Sequence, residues 1–241
     1  MKKHKMTKRL ILALGIIGLS VTGVRADSVN EKEITYADPT IYVENGKYYL
    51  TGTRNQEPQG FAILESTDLE HWTVPDDTSL QLILRKGDQT YGEKGFWAPQ
   101  YFKDKRTYYF TYTANEQTVI ASSKSVFGPF RQKEVKPIDA SAKNIDSFLF
   151  KDDDGKYYLY HVRFNKGNYL WVAEFDIKKG SIKPETLKQC MDCTEPWEKT
   201  PNYKSAPVME GPTVMKWDGV YYLFYSANHF MNIDYSVGYA T

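Results

Sequence analysis

The chain has 241 residues, with 31 Lys or Arg and 30 Asp or Glu. Its first 26 residues hold six basic and no acidic side chains, so removing them changes the formal net charge from +1 to 1 − 6 = −5. A negative net charge argues against a nucleic-acid partner. The remaining 215 residues (241 − 26) can bury one large core, and no linker interrupts them, so we expect a single domain over residues 27–241.

The first 26 residues are typical of a secretory signal. Basic side chains precede an almost wholly apolar run over residues 10–24, and Val24-Arg25-Ala26 offers small residues at the spacing that a signal peptidase reads. A membrane-spanning helix needs about twenty apolar residues, and this run is shorter and interrupted by glycines. We therefore predict cleavage after Ala26 and a secreted or periplasmic protein without a membrane anchor.

The two cysteines, Cys190 and Cys193, are separated by two residues. A structural zinc site would need two more soft ligands at comparable spacing, so this pair alone does not predict one. A local disulfide and two loop thiols without a catalytic role both remain open.

A strand–turn–strand pattern occurs four times along the chain. In the first copy, residues 37–50, a strand, an Asn-Gly turn and a second strand follow one another. A tyrosine pair marks each copy and begins at positions 48, 108, 157 and 221, in steps of 60, 49 and 64 residues. This period is close to that of a four-stranded propeller blade with long loops. Helical periodicity is nearly absent, so we predict an all-β propeller.

An acidic residue lies at the start of three of these copies. Asp38 lies ten residues before its tyrosine pair, and Asp146 and Glu210 lie eleven before theirs; the second copy has Trp97 at this phase. The first strand of each propeller blade lines the central channel, so these starts should meet around the axis. Each acid alone is consistent with an ordinary turn. Three together would be costly to bury without a function, which predicts a cluster with shifted pKa values.

A carboxylate cluster across a channel suits hydrolysis of a glycosidic bond. One protonated carboxyl group assists the leaving oxygen, and one ionised carboxylate activates water. A third carboxylate beside the acid keeps the pKa of that acid high. Trp97 either packs against the sugar or fills the core between two blades, and the sequence favours neither.

Four short motifs resemble those at the blade starts of glycoside hydrolase family 43: Ala37-Asp38-Pro39-Thr40, Phe96-Trp97-Ala98-Pro99, Ile145-Asp146 and Glu210-Gly211-Pro212. The resemblance implies a five-bladed β-propeller that inverts anomeric configuration. It also implies Asp38 as general base, Asp146 as the residue that tunes and orients the acid, and Glu210 as general acid. The substrates it implies are plant cell-wall glycans with α-L-arabinofuranosyl or β-D-xylosyl units.

The first motif also separates this chain from related propeller enzymes. β-Fructosidases and levansucrases retain configuration and begin with an Asn-Asp-Pro-Asn type motif, from which Ala37-Asp38-Pro39-Thr40 departs. We therefore expect inversion, with the acid and base carboxyl groups about 6.5 to 9.5 Å apart.

The pattern accounts for about four blades rather than five, since the fourth copy stops at residues 237–241, inside its expected third strand. We therefore expect a C-terminally incomplete propeller that folds poorly or hydrolyses weakly. The reaction requires no cofactor. A structural calcium or other metal ion is possible in the family, but the blade that would hold it is the missing one. A non-catalytic glycan-binding propeller or an inactive truncated paralogue remains the alternative, and the sequence does not predict the oligomeric state.

Overall fold

The computed structural model describes the backbone of residues 28–29 and all atoms of residues 34–75 and 82–241. The predicted secretory signal lies outside these described residues. Four antiparallel sheets of three or five strands follow one another along the described part of the chain, and a fifth sheet of two strands accompanies the first. This arrangement confirms the predicted all-β propeller class. Each of the four larger sheets is one blade.

Blade 1 has the strand order β1-β6-β5-β3-β2, and β4 pairs with β7 beside it. The strands are β1 (Ser28–Val29), β2 (Ala37–Glu44), β3 (Lys47–Thr53), β4 (Gly60–Ala62), β5 (Leu64–Ser66), β6 (Trp72–Thr73) and β7 (Leu82–Arg85). Blade 2 consists of β8 (Trp97–Asp104), β9 (Thr107–Ala114) and β10 (Gln117–Ser123).

Blade 3 is built on a three-stranded meander with two short outer strands. It contains β11 (Asn144–Lys151), β12 (Tyr157–Phe164), β13 (Asn168–Asp176), β14 (Ser181–Ile182) and β15 (Lys188–Gln189). Blade 4 contains β16 (Met209–Trp217), β17 (Val220–Ala227) and β18 (Ser236–Ala240). Two 3-10 helices, Pro184–Thr186 and Pro196–Glu198, lie between β14 and β16.

Aromatic side chains fill much of the core between blades 1 and 2. Phe61, Phe110 and Tyr112 are fully buried, and the centroid of the Phe61 ring lies 5.2 Å from that of Phe110 and 5.6 Å from that of Tyr112. Such edge-to-face contacts add to the free energy gained by burying the rings. The tight packing fixes how neighbouring blades sit, and so fixes the ends of their first strands.

The tyrosine pairs of the sequence repeat take part in contacts between blades, which we call clasps. In a clasp, the first tyrosine of the pair and a lysine of the same blade bind an acidic side chain of the preceding blade. The three clasps are Tyr108 and Lys103 with Glu44, Tyr157 and Lys151 with Asp104, and Tyr221 and Lys216 with Asp152. The clasps thus join blades 1 to 4 in series.

The hydroxyl of Tyr108 donates to Glu44 Oε2 at 2.6 Å, so Tyr108→Phe should lower the free energy of unfolding. We expect a loss of about 1–2 kcal/mol, since the acceptor is charged, which corresponds to a fall in Tm of about 3–6 °C. Thermal unfolding followed by circular dichroism measures it, with Tyr222→Phe, outside the clasps, as control. Equal melting of Tyr108→Phe and the wild type would show that the clasp contributes nothing.

Candidate active site

A β-bulge interrupts the first strand of every blade at the same place. The strand register shifts after Ala37, Trp97, Ile145 and Glu210, so that two residues face one residue of the second strand. The first bulge residue always has a positive φ, of 46° at Asp38, 45° at Ala98, 53° at Asp146 and 64° at Gly211. A bulge bends the strand and redirects its side chains. The four bulges therefore present equivalent positions at one end of the channel.

The three predicted acids line one cavity of about 450 Å³ at these bulges. Asp38 and Asp146 are bulge residues, whereas Glu210 lies one residue before its bulge and is equivalent to Trp97. The tyrosine count hid this offset, because Asp146 lies eleven residues before its tyrosine pair, whereas the first bulge residue of every other blade lies ten before its own. The acids thus come together as predicted, but from two adjacent positions of the repeat.

Asp38 is oriented by a threonine of its own blade. Its Oδ2 accepts a hydrogen bond from Thr53 Oγ1 at 2.6 Å, and Thr53 Oγ1 accepts one from the Ala98 amide at 2.8 Å. Thr53 is buried. Because the neighbouring amide occupies the acceptor side of the hydroxyl, the hydroxyl proton points at Asp38. The carboxylate itself is exposed to the cavity.

Asp146 connects blades 2 and 4. Its amide donates to Thr113 Oγ1 at 3.0 Å, which repeats the bond between Ala98 and Thr53. Its Oδ2 accepts from the Gly211 amide at 3.1 Å. The carboxylate of Asp146 is thus held against the residue that follows Glu210.

Burial and like charge raise the pKa values of two of the acids. Burial is the main cause for Glu210, and the charge of Asp38 adds to it, while the hydrogen bond donated by Tyr235 to Glu210 Oε1 at 3.1 Å opposes it. Burial, then the charges of Glu210 and Asp38, raise the pKa of Asp146 to about 8. The pair of Asp146 and Glu210 therefore retains a proton at higher pH than ordinary carboxyl groups do, as a general acid requires.

The raised pKa of Asp146 predicts a stability that depends on pH. The folded protein binds this proton more tightly than the unfolded chain, whose carboxyl has a pKa near 3.8, so the contribution favours folding at low pH and is lost as the pH rises through about 8. Asp146→Asn carries no charge. It should therefore gain at least about 1 kcal/mol over the wild type at pH 9, or about 2–4 °C in Tm, and much less at pH 5.

Thermal unfolding at both pH values measures this difference, with the exposed Asp88→Asn as the control for loss of a surface charge. A gain for Asp146→Asn that is the same at pH 5 and pH 9 would contradict the assigned pKa. So would a loss of stability at pH 9.

Trp97 directly precedes Ala98, which lines the cavity, but Trp97 is not itself one of the lining residues. Its side chain is 37% exposed, so it is not the core residue between blades that the sequence left open. Gly95, with φ of 66°, lies against the indole, and a Cβ there would come within 3.0 Å of the ring. The indole is therefore held in place from one side.

The sequence reasoning missed the residues that orient the acids, namely Thr53, Thr113 and Tyr235. The threonines do leave a signal, since the segments Thr51-Gly52-Thr53 and Thr111-Tyr112-Thr113 occupy the same place in two copies of the repeat. Tyr235 has no such signal, because it lies in a loop outside the repeated strands.

Cys190 and Cys193 are free thiols in the structure, both half-buried. Burial raises the pKa of Cys190 to about 12 and raises that of Cys193 as well, so both are protonated at neutral pH.

Residues 34–75 and 82–241 contain no group of three or more His, Cys, Asp or Glu side chains that could hold a metal ion. The same residues include no helix of the length and hydrophobicity needed to cross a membrane.

Three relatives show what the chain is similar to. The crystal structure of an endo-1,4-beta-xylanase from Bacteroides thetaiotaomicron VPI-5482 is 42% identical and superposes with a TM-score of 0.76 over 85% of this chain and 68% of that one. The extracellular endo-alpha-(1->5)-L-arabinanase 1 of Bacillus subtilis (strain 168) is 28% identical over 94% of this chain and 72% of its own length. A xylosidase/arabinosidase of Butyrivibrio fibrisolvens is 29% identical over 79% of this chain, which spans only 37% of that protein.

The sequence model of glycosyl hydrolases family 43 matches residues 32–241, almost the whole of the described fold. The same residues carry the four blades and the three acids of the cavity. The chain therefore belongs to glycosyl hydrolase family 43, whose members are inverting glycosidases.

Proposed function

We propose that the protein is secreted and hydrolyses glycosidic bonds in pentose-containing plant cell-wall glycans, removing or cutting α-L-arabinofuranosyl or β-D-xylosyl units with inversion. One observation carries the proposal. Three carboxyl groups from distant parts of the chain line one cavity, and the pKa values of two of them are raised. A cavity with acids of unlike ionisation suits acid and base catalysis.

In the proposed reaction, Glu210 donates a proton to the glycosidic oxygen while Asp38 takes a proton from the attacking water. Asp146, whose own pKa is raised by burial and by the charges of Glu210 and Asp38, stays neutral beside the acid and holds the backbone next to Glu210 through the Gly211 amide. Trp97, exposed and adjacent in sequence to the cavity residue Ala98, packs against the sugar. Only protons and water are exchanged, so this mechanism calls for no cofactor.

Asp38 is suited to the role of base because it is open to the cavity and held from behind. The bond from Thr53 fixes the carboxylate without covering it. Single displacement needs room for water between base and sugar, which is why we expect the separation of about 6.5 to 9.5 Å from the acid.

The names of the relatives support the substrate class and the location. They include an arabinanase, a xylosidase/arabinosidase and a xylanase, and the arabinanase is described as extracellular. Arabinose and xylose are both pentoses, so the acids alone favour neither. Secretion also agrees with the basic and apolar character of the first 26 residues.

The test is hydrolysis of 4-nitrophenyl α-L-arabinofuranoside, 4-nitrophenyl β-D-xyloside, arabinan and xylan by the purified chain, with Glu210→Gln as the matched control. Release of sugar that disappears in Glu210→Gln supports the proposal and ranks the two pentoses. A folded protein that binds these glycans but cleaves none of them would replace the proposal with a non-catalytic binding role.

A further inference from the structure

An exposed aromatic surface lies on blade 4, in the loop that joins β17 to β18. The ring of His229 stacks on Tyr203, with centroids 5.4 Å apart and planes at 15°, and on Phe230, with centroids 4.6 Å apart and planes at 24°. Phe230 is 67% exposed, and its neighbours Met231 and Ile233 are 79% and 90% exposed. We call the rings of Tyr203, His229 and Phe230 the aromatic platform.

Hydrogen bonds fix both ends of this loop. Asn228, fully buried, accepts from the Thr200 amide at 2.8 Å. Asp234 accepts from Thr200 Oγ1 and from Asn202 Nδ2, both at 2.7 Å. The loop is thereby held to residues 196–203, the segment that also supplies one ring of the platform. A surface fixed in this way before binding loses little conformational entropy when a ligand arrives.

The same loop contacts the acid of the cavity. Tyr235 lines the cavity and donates to Glu210 Oε1 at 3.1 Å. A general acid protonates the oxygen that departs with the leaving group. The loop that carries Tyr235 is therefore joined to the acid that serves the leaving-group side of the cleaved bond, whereas Asp38 serves the water side.

We infer that the aromatic platform binds the sugar unit on the leaving-group side of the cleaved bond, in a neutral oligosaccharide. The inference rests on the proposed function. The platform is an exposed apolar surface on the loop that also carries the cavity residue Tyr235, and such a surface beside a polar cavity marks a binding site. The C–H face of a sugar ring matches the face of an aromatic ring. The platform would thus favour substrates whose leaving group is itself a sugar.

Two substrates with the same cleaved sugar test the inference. One is the disaccharide xylobiose, or arabinobiose if that is the sugar the protein cleaves. The other is the matching glycosyl fluoride, whose leaving group is a single atom. Phe230→Ala should lower kcat/KM for the disaccharide about tenfold more than for the fluoride, mainly through KM.

Trp217→Ala is the matched control. Trp217 is 68% exposed on the same blade, at the far end of β16 from Glu210, so its ratio of losses should stay within about twofold of one. Equal losses of Phe230→Ala on both substrates, or no loss, would overturn the inference while leaving the hydrolase demonstrated. If the wild type cleaves neither substrate and also releases no sugar from arabinan or xylan, the proposed function is overturned, and the inference with it.

Discussion

Glu210→Gln is expected to lower kcat/KM on an arabinan or xylan oligosaccharide by about 10²- to 10⁴-fold, because glutamine cannot donate a proton to the leaving oxygen. Glutamine keeps the size of the side chain and an oxygen that can accept from Tyr235, as Glu210 does at 3.1 Å. The loss would therefore report chemistry rather than packing. Initial rates of sugar release measure it, with the exposed Glu70→Gln as the control.

The dependence on the leaving group identifies Glu210 as the acid. A 2,4-dinitrophenolate departs without protonation, so the loss with a dinitrophenyl glycoside should be smaller than the loss with the oligosaccharide by about tenfold or more. Equal losses on both substrates would assign Glu210 some role other than proton donation.

Asp38→Asn is expected to lower kcat/KM by about 10²- to 10⁴-fold on the oligosaccharide and on the dinitrophenyl glycoside alike. The attacking water must lose a proton whatever group departs, so a better leaving group does not compensate for the missing base. Asparagine retains an oxygen that can accept from Thr53, as Asp38 does at 2.6 Å. Steady-state kinetics on the two substrates give the comparison.

Azide provides the matched control for the base, since this anion attacks without first losing a proton. Azide should restore turnover of the dinitrophenyl glycoside by Asp38→Ala and should do little for Glu210→Gln. An Asp38→Asn variant that keeps near wild-type activity would rule out Asp38 as the base, as would a loss confined to the poor leaving group.

The propeller was predictable because each blade must solve the same packing problem. A tight turn needs positive φ at two residues, so Asn45-Gly46 and Asp218-Gly219 carry visible turn residues, with φ of 52° and 74° in the first and 48° and 78° in the second. The tyrosine pairs were equally visible in the sequence. The acidic partners of the tyrosines were not visible, because each of them lies in the preceding blade. In the clasps of blades 2 and 4, the acid is 59 to 69 residues away in sequence from the lysine and the tyrosine that bind it.

The acids were predictable from a shared phase, and their environment was not. The phase placed Asp38, Asp146 and Glu210 near one another, as the cavity lining shows. It could not show that Thr53 bridges two blades, since that depends on how the blades are rotated against each other. It also could not reveal Tyr235, because the loop that carries it is specific to blade 4.

The configuration of the first-formed sugar tests the central claim, that Glu210 and Asp38 act together in a single displacement. Proton NMR of the anomeric signal, recorded before mutarotation during hydrolysis of an oligosaccharide by the wild type, gives this configuration. We predict a product of opposite configuration to the cleaved bond, since water attacks from the face opposite the leaving group. A product of the same configuration would require a covalent intermediate and would contradict the account.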